Sequence, residues 1–374
     1  MTRDGRIGFH LAVKKAKLLE LDIVRAFAIL AVLFIHNTSE ATVELPVGSV
    51  SQAAYLAINK FSNFAVPVFI FISGLVLFYR YVDDWSGKQA VTFYLKRVKQ
   101  VLFPYLIWSV FYYLYNQWIF DPTQLHFDGA EFLDLLPWAD ASYHLYFMII
   151  IVQFYLLFPL LVWLCRVSQG FRKNLFFIGI AIQAACYGYG HWIEPLPHSA
   201  SLCVTYFSLF ALGGYLGMNY QTFSTWIGKN IGWVLPLSVL LGVSFMGLFL
   251  FEELKGMTFD NTWYEIIFNT YPMFAGMSFI WIGKKLVQHW PLLTKWLLSL
   301  GAVSYGIYLM HPAVLTYWRT HVPNTSGPMI DYHLYTLTAF VLSLAVPWLL
   351  AYVYGQTMRR LRPTPKKKLS QGTA

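Results

Sequence analysis

His36 and Glu40 stand one helical turn apart in the run LDIVRAFAILAVLFIHNTSE, residues 21–40. An imidazole with a carboxylate that close is a plausible general base and its orienter, since the carboxylate could hold one tautomer and raise its basicity. Asn37 beside them carries an amide that could donate to an oxyanion. Arg25 precedes His36 by eleven residues. On a helix the two lie about 20° apart around the axis and roughly 16 Å apart along it. Asp22 falls on the same side, so one polar stripe runs the length of an apolar segment. Ionisable groups in hydrocarbon are costly and usually face a bundle interior or an aqueous cavity. Interfacial solvation explains Asp22 and Glu40 easily, and Arg25 in part by snorkelling. It explains His36 less well.

The rest of the chain must hold that stripe in a membrane. Of 374 residues, 57% are hydrophobic and only 12% are charged, against about 25% charged in a typical soluble domain. The chain carries 14 Trp, 25 Tyr and 31 Phe, and its mean hydropathy is +0.51. These values predict an all-α polytopic membrane protein. Ten apolar segments approach the length a bilayer needs: residues 21–40, 62–80, 100–119, 143–165, 174–190, 202–218, 232–251, 263–283, 296–317 and 334–356. They form one transmembrane domain over residues 18–358, between a basic lead (1–17) and a basic tail (359–374) expected to be disordered. No short apolar region closes on a small-residue cleavage site, so no removable signal peptide is read. Cys165, Cys186 and Cys203 have neither metal-ligand nor disulfide-framework spacing.

Charge sorts the loops. Lysines and arginines crowd the lead, the tail and alternate loops, whereas only Lys60, Lys255 and Arg319 occupy the other set. That bias places both termini in the cytoplasm. It also explains the net charge of +9 without nucleic acid. Toward the cytoplasm lie Arg25, Arg97 and Lys99, types suited to a phosphate-rich ligand; a positive-inside flank accounts equally well for Lys99. Toward the outside lie His36, Asn37, Glu40, His144, Glu265 and His311. The three histidines come from distant segments without metal-ligand spacing, so no metal is expected. Pro104 opens the third segment and is a candidate kink. The small residues Gly74, Gly213, Gly214, Gly217, Gly301, Ser304 and Gly306 read as helix contacts, and Ser73 as a packing residue rather than a nucleophile. No GxSxG elbow, Walker motif or GxGxxG occurs.

These segments carry a resemblance. LDIVRAFAILAVLFIH, VPVFIFISG, FYLKRVKQVLFPYLIW, YHLYFMIIIVQFYLLFP and SYGIYLMHP look like the acyltransferase-3 family of integral membrane acyltransferases. Within it the likeness is to bacterial surface-polysaccharide O-acyltransferases, including the poly-N-acetylglucosamine-associated type. It covers about residues 18–356, and the Arg25–His36 spacing is its most specific element. Many relatives have a second arginine where Gln100 stands, which leaves more of any phosphate-binding role to Arg97 and Lys99. The resemblance implies a multi-pass protein of the bacterial cytoplasmic membrane with acyl-CoA, usually acetyl-CoA, as donor from the cytoplasm. It implies a sugar hydroxyl of an extracytoplasmic glycan as acceptor, and association with lipid and with polysaccharide synthesis proteins. The histidine matching His36 is implied to be catalytic, and the arginines matching Arg25 and Arg97 to handle the donor. Tyr305 is a second candidate oxyanion donor; His144, Glu265 and His311 are supporting residues. The rival class is a polysaccharide exporter or transporter without acyl transfer.

Overall fold

The computed structural model describes residues 15–323 and 327–361, and among them the only regular secondary structure is helical. Thirteen α-helices follow in order: α1 (Leu19–Glu44), α2 (Val50–Phe61), α3 (Ala65–Tyr81), α4 (Gly87–Arg97), α5 (Phe103–Phe120), α6 (Gly129–Leu135), α7 (Tyr146–Val167), α8 (Gln169–Trp192), α9 (Phe207–Met218), α10 (Tyr220–Lys255), α11 (Asn261–His289), α12 (Pro291–His321) and α13 (Met329–Leu361). The expected lead up to residue 14 and the expected tail from residue 362 lie outside the described residues.

All ten expected segments fall mainly on helices, the fourth beginning only at Tyr146, and six helical stretches are long and apolar enough to cross a membrane: Val50–Tyr81, Tyr146–Val167, Tyr220–Lys255, Asn261–His289, Pro291–His321 and Met329–Met358. The other four differ for visible reasons. α1 carries the polar stripe, α5 is dense in tyrosine and tryptophan, α8 is interrupted by Gln183 and glycines, and α9 has only 12 residues. Two boundaries also differ from the sequence reading. The second segment begins at Val50 and continues past a short 3-10 turn, Ser62–Phe64. The seventh begins at Tyr220, one residue after α9 gives way at Asn219.

Helices in lipid gain little from hydrophobic burial against one another, so close backbone approach and interhelical hydrogen bonds carry the packing. A Cβ on Gly213 of α9 would overlap the Phe71 carbonyl of α3, and one on Gly301 of α12 would overlap the Asp22 carbonyl of α1. Only glycine permits either approach. Near the other end of α1, Asn59 of α2 donates to the Ile35 carbonyl at 2.8 Å and to Thr38 Oγ1 at 3.2 Å. The Ser73 hydroxyl donates to its own helix, at the Phe69 carbonyl. α1 thereby becomes a buried axis: Ile23, Val24, Ala26, Ala28, Ile29 and Leu33 are fully covered.

α4 runs into α5 through a π-helical turn, Val98–Leu102. Pro104 lacks the N–H that would bond the Gln100 carbonyl, and its ring crowds that carbonyl. Widening the turn relieves both problems, and such π-bulges are frequent at functional sites.

Candidate active site

Gly301 seats α12 against the start of α1, and the two helices rise side by side. Their upper faces bring His36 and His311 together, with ring centroids 5.2 Å apart. His144, in the turn two residues before α7, lies 5.7 Å from His311 between ring centroids. Tyr143 lies 5.0 Å from His36.

The three imidazoles are not equivalent. His311 is fully buried, and its Nδ1 lies 3.1 Å from the Ile307 carbonyl. That contact requires the proton on Nδ1 and leaves the lone pair on Nε2, which is buried without a partner. His144 is 1% exposed; its Nδ1 is 3.1 Å from Ser142 Oγ, and its carbonyl accepts the Tyr308 hydroxyl. Tyr112 packs edge-on to His144 and donates to the Leu309 carbonyl at 2.7 Å, tying α5 to α12. His36 is partly exposed, and its ring makes no hydrogen bond among the described residues. It is therefore the histidine whose nitrogen can meet a substrate, with His311 and His144 as the packed wall behind it. No group of three His, Cys, Asp or Glu that could hold a metal occurs among the described residues.

Glu40 does not orient His36. Its Oε2 lies 2.8 Å from Arg319 Nε, and Arg319 Nη2 donates to the His36 carbonyl at 2.9 Å. Arg319 thus joins the end of α12 to α1 and takes up the carboxylate expected to hold the imidazole. Asn37 is buried and its amide donates back to the Leu33 carbonyl at 2.8 Å, which turns that group along its own helix. The Tyr305 hydroxyl is buried and unpaired. Of the two expected oxyanion donors, Asn37 keeps one of its two amide N–H groups and Tyr305 keeps its hydroxyl uncommitted.

A second cluster forms at the other end of the stripe. Arg25 pairs with Asp22 at 2.5 Å, and Asp22 also receives Lys17 at 2.6 Å. The Arg97 guanidinium lies 4.7 Å from the Tyr155 ring centroid and 5.0 Å from that of Phe93, with its Nε buried and unpaired. Arg25 and Arg97 both lie within electrostatic reach of the Tyr155 hydroxyl, which is in turn within reach of Tyr305. Both arginines thus lie near Tyr155, and Tyr155, Tyr305 and Tyr308 form a file of neighbours that ends at the His144 carbonyl, which accepts the Tyr308 hydroxyl. A buried guanidinium nitrogen without a partner suits an anionic ligand. Lys99 is exposed on the π turn and joins neither cluster. Glu265 stands apart as well, on α11 in a separate cleft, hydrogen-bonded to Asn269 at 3.2 Å.

The acyltransferase domain family matches residues 18–352. The chain belongs to the acyltransferase-3 family. It is similar to the probable poly-beta-1,6-N-acetyl-D-glucosamine export protein of Staphylococcus epidermidis, at 25% identity over 81% of this chain and 82% of that protein. The protein of the same name from Staphylococcus aureus strain MRSA252 is 24% identical over 81% of this chain and 83% of its own length. No solved structure matches the chain.

Sequence reasoning missed Arg319, Tyr143, Tyr155 and Tyr308. A signal existed for Arg319, which is a rare cation in loops otherwise poor in Lys and Arg and lies about two helical turns beyond His311. The tyrosines gave none, because tyrosine is common throughout this chain.

Proposed function

We propose that this acyltransferase moves an acyl group, usually acetyl, from cytoplasmic acyl-CoA to a sugar hydroxyl of an extracytoplasmic glycan such as an exopolysaccharide or wall polymer. The observation that carries this reading is the division of one helix. α1 bears Arg25, paired with Asp22, at one end and the accessible His36 at the other, about 16 Å away. With ten crossings and both termini in the cytoplasm, the arginines face the donor and the histidines face the acceptor. A long thioester arm could span that separation, whereas a cytoplasmic site at the arginines alone could not reach an outer glycan.

In this reading Arg25 and Arg97 hold donor phosphates, and the tyrosine file receives the arm. His36 takes the proton of the acceptor hydroxyl as its oxygen attacks the thioester carbonyl. The oxyanion accepts a hydrogen bond from Tyr305. Collapse expels the CoA thiolate, which takes the proton back from the His36 imidazolium. Arg319, paired with Glu40, fixes the backbone of His36.

The deciding experiment gives lipid-reconstituted protein radiolabelled acetyl-CoA and a panel of surface glycans, wild type beside His36→Ala. Label transfer that requires His36 supports the reading. Label retained on protein stripped of CoA, then passed to acceptor, would replace direct transfer by an acyl-enzyme relay.

The name of the staphylococcal relatives, probable export proteins, favours a second reading, polysaccharide export. Glycan uptake into proteoliposomes without any acyl donor, unaffected by His36→Ala, would select it.

A further inference from the structure

We propose that the cleft between α8, α9, α10 and α11 binds a lipid of the leaflet on the His36 side, with a neutral, hydroxyl-rich head group: a glycolipid rather than a phospholipid. The cleft encloses about 910 Å³, within the range of built small-molecule sites, and it is separate from the histidine and arginine clusters.

Its depth in the molecule follows from contacts of α11. Gly283 packs on Glu20 at the start of α1. From there α11 rises about 27 Å to Glu265, and α1 rises about 24 Å from Glu20 to His36. The Glu265 end of the cleft therefore lies at the level of His36. Below Glu265 the lining descends along α11 to Met277, about 18 Å, close to the roughly 15 Å of one hydrocarbon leaflet.

Polarity changes along that descent. The floor is built from side chains such as Phe176, Ile180, Leu212 and Met277, and the mouth from Glu265, Asn269 and Thr262. A polar mouth over an apolar shaft one leaflet deep matches a lipid head over its chain.

The mouth also selects by charge. No lysine or arginine lines the cleft, and Glu265 is its one carboxylate. A phosphate there would meet the Glu265 carboxylate and, apart from the single imidazole of His191, no basic side chain. Asn269 Nδ2 is spent on the Glu265 carbonyl and carboxylate, leaving Oδ1 buried and unpaired. Gln183, deeper and nearly buried, uses its carbonyl on the Ser208 amide and hydroxyl at 2.9 and 2.6 Å. The acceptors concentrated at the mouth call for hydroxyl donors, which a sugar head supplies.

The test uses full-length protein in liposomes with trace diazirine-chain probes, monoglucosyl diacylglycerol or phosphatidylglycerol with the same acyl chains. Crosslinked peptides are mapped by mass spectrometry. The glucosyl probe should label peptides around Ile180 and Met277 about fivefold more than the phosphatidylglycerol probe, and excess unlabelled glucosyl lipid should remove the signal. Ile180→Trp fills the shaft and should cut labelling about as much, with unchanged melting. Glu265→Gln removes the charge without changing the shape; it should narrow the preference between heads while the shaft stays labelled. Equal labelling by both probes, preference for phosphatidylglycerol, or labelling indifferent to Ile180→Trp in folded protein would each overturn the proposal.

Discussion

At the scale of the residue, accessibility divides three clustered histidines into one reactive candidate and two supports. General-base catalysis typically contributes about 10²–10⁴-fold. His36→Ala should therefore lower transfer by that order while leaving the melting curve nearly unchanged, because the ring makes no hydrogen bond that packing depends on. His311→Ala should instead lower stability, since it empties a fully buried site. Equal loss of stability in the two variants would contradict the division. Arg319 is the second case. Its pair with Glu40 is about one-quarter exposed, so it falls between surface pairs worth up to about 1 kcal/mol and buried ones whose breakage costs about 3–5 kcal/mol. Arg319→Met should cost about 1–3 kcal/mol in thermal or denaturant unfolding. Adding Glu40→Gln, which removes the stranded charge, should recover part of the loss. A double variant as unstable as the sum of the singles would show that the pair is not coupled.

At the scale of the element, the π turn before α5 and the glycine contacts decide where side chains point. Removing the proline restores the missing N–H and the clash-free carbonyl. Pro104→Ala should then let Val98–Leu102 regain α register, which turns α4 by about 100° relative to α5. Arg97 would leave its place between Phe93 and Tyr155. The expected result is a raised KM for acyl-CoA with kcat little changed; the reverse split would remove Arg97 from donor binding. Gly213→Leu tests packing rather than chemistry. Overpacking usually costs about 1–3 kcal/mol, but here the obstacle is a backbone carbonyl that cannot rotate away. Loss of monodisperse protein is expected, measurable by size exclusion.

At the scale of the whole molecule, the polar ends of the helices are tied across chain-distant segments. Asp83, in the loop after α3, receives Lys15 at 2.8 Å and Arg172 of α8 at 3.1 Å. Partial burial raises the Asp83 carboxyl, but those two cations outweigh it and hold the carboxyl below its usual range. A depressed folded value means the clasp contributes fully above the unfolded value of about 3.9 and is lost as pH falls through the folded value. Asp83→Asn should therefore lower the Tm at pH 7, with the difference from wild type closing below about pH 4. A difference independent of pH would assign the effect to shape. The loop charge bias predicts that both termini face the cytoplasm, so reporters fused at either end should be active there; a reporter active only outside would overturn that orientation.

Much of this protein is legible in the chain alone. Apolar runs of bilayer length dictate helices because no other structure satisfies the backbone in lipid without closing a barrel, and all ten expected runs fall mainly on helices. The Arg25–His36 spacing fixes two ends of one helix by geometry. Glycines mark close contacts because few other residues allow them. What sequence periodicity leaves open is which distant helix faces which. Glu40 and His36 share a turn, yet a guanidinium from far along the chain, Arg319, takes the carboxylate: a long flexible cation reaches it with better charge pairing than the neighbouring imidazole offers. His144 and His311 are buried only because α12 and the turn before α7 pack together with α5 around them. Arg97 comes to lie over Phe93 and Tyr155 only because α4 packs on α7 next to the widened turn. Local spacing determines what a helix presents; only tertiary packing decides what meets it and what water can still reach.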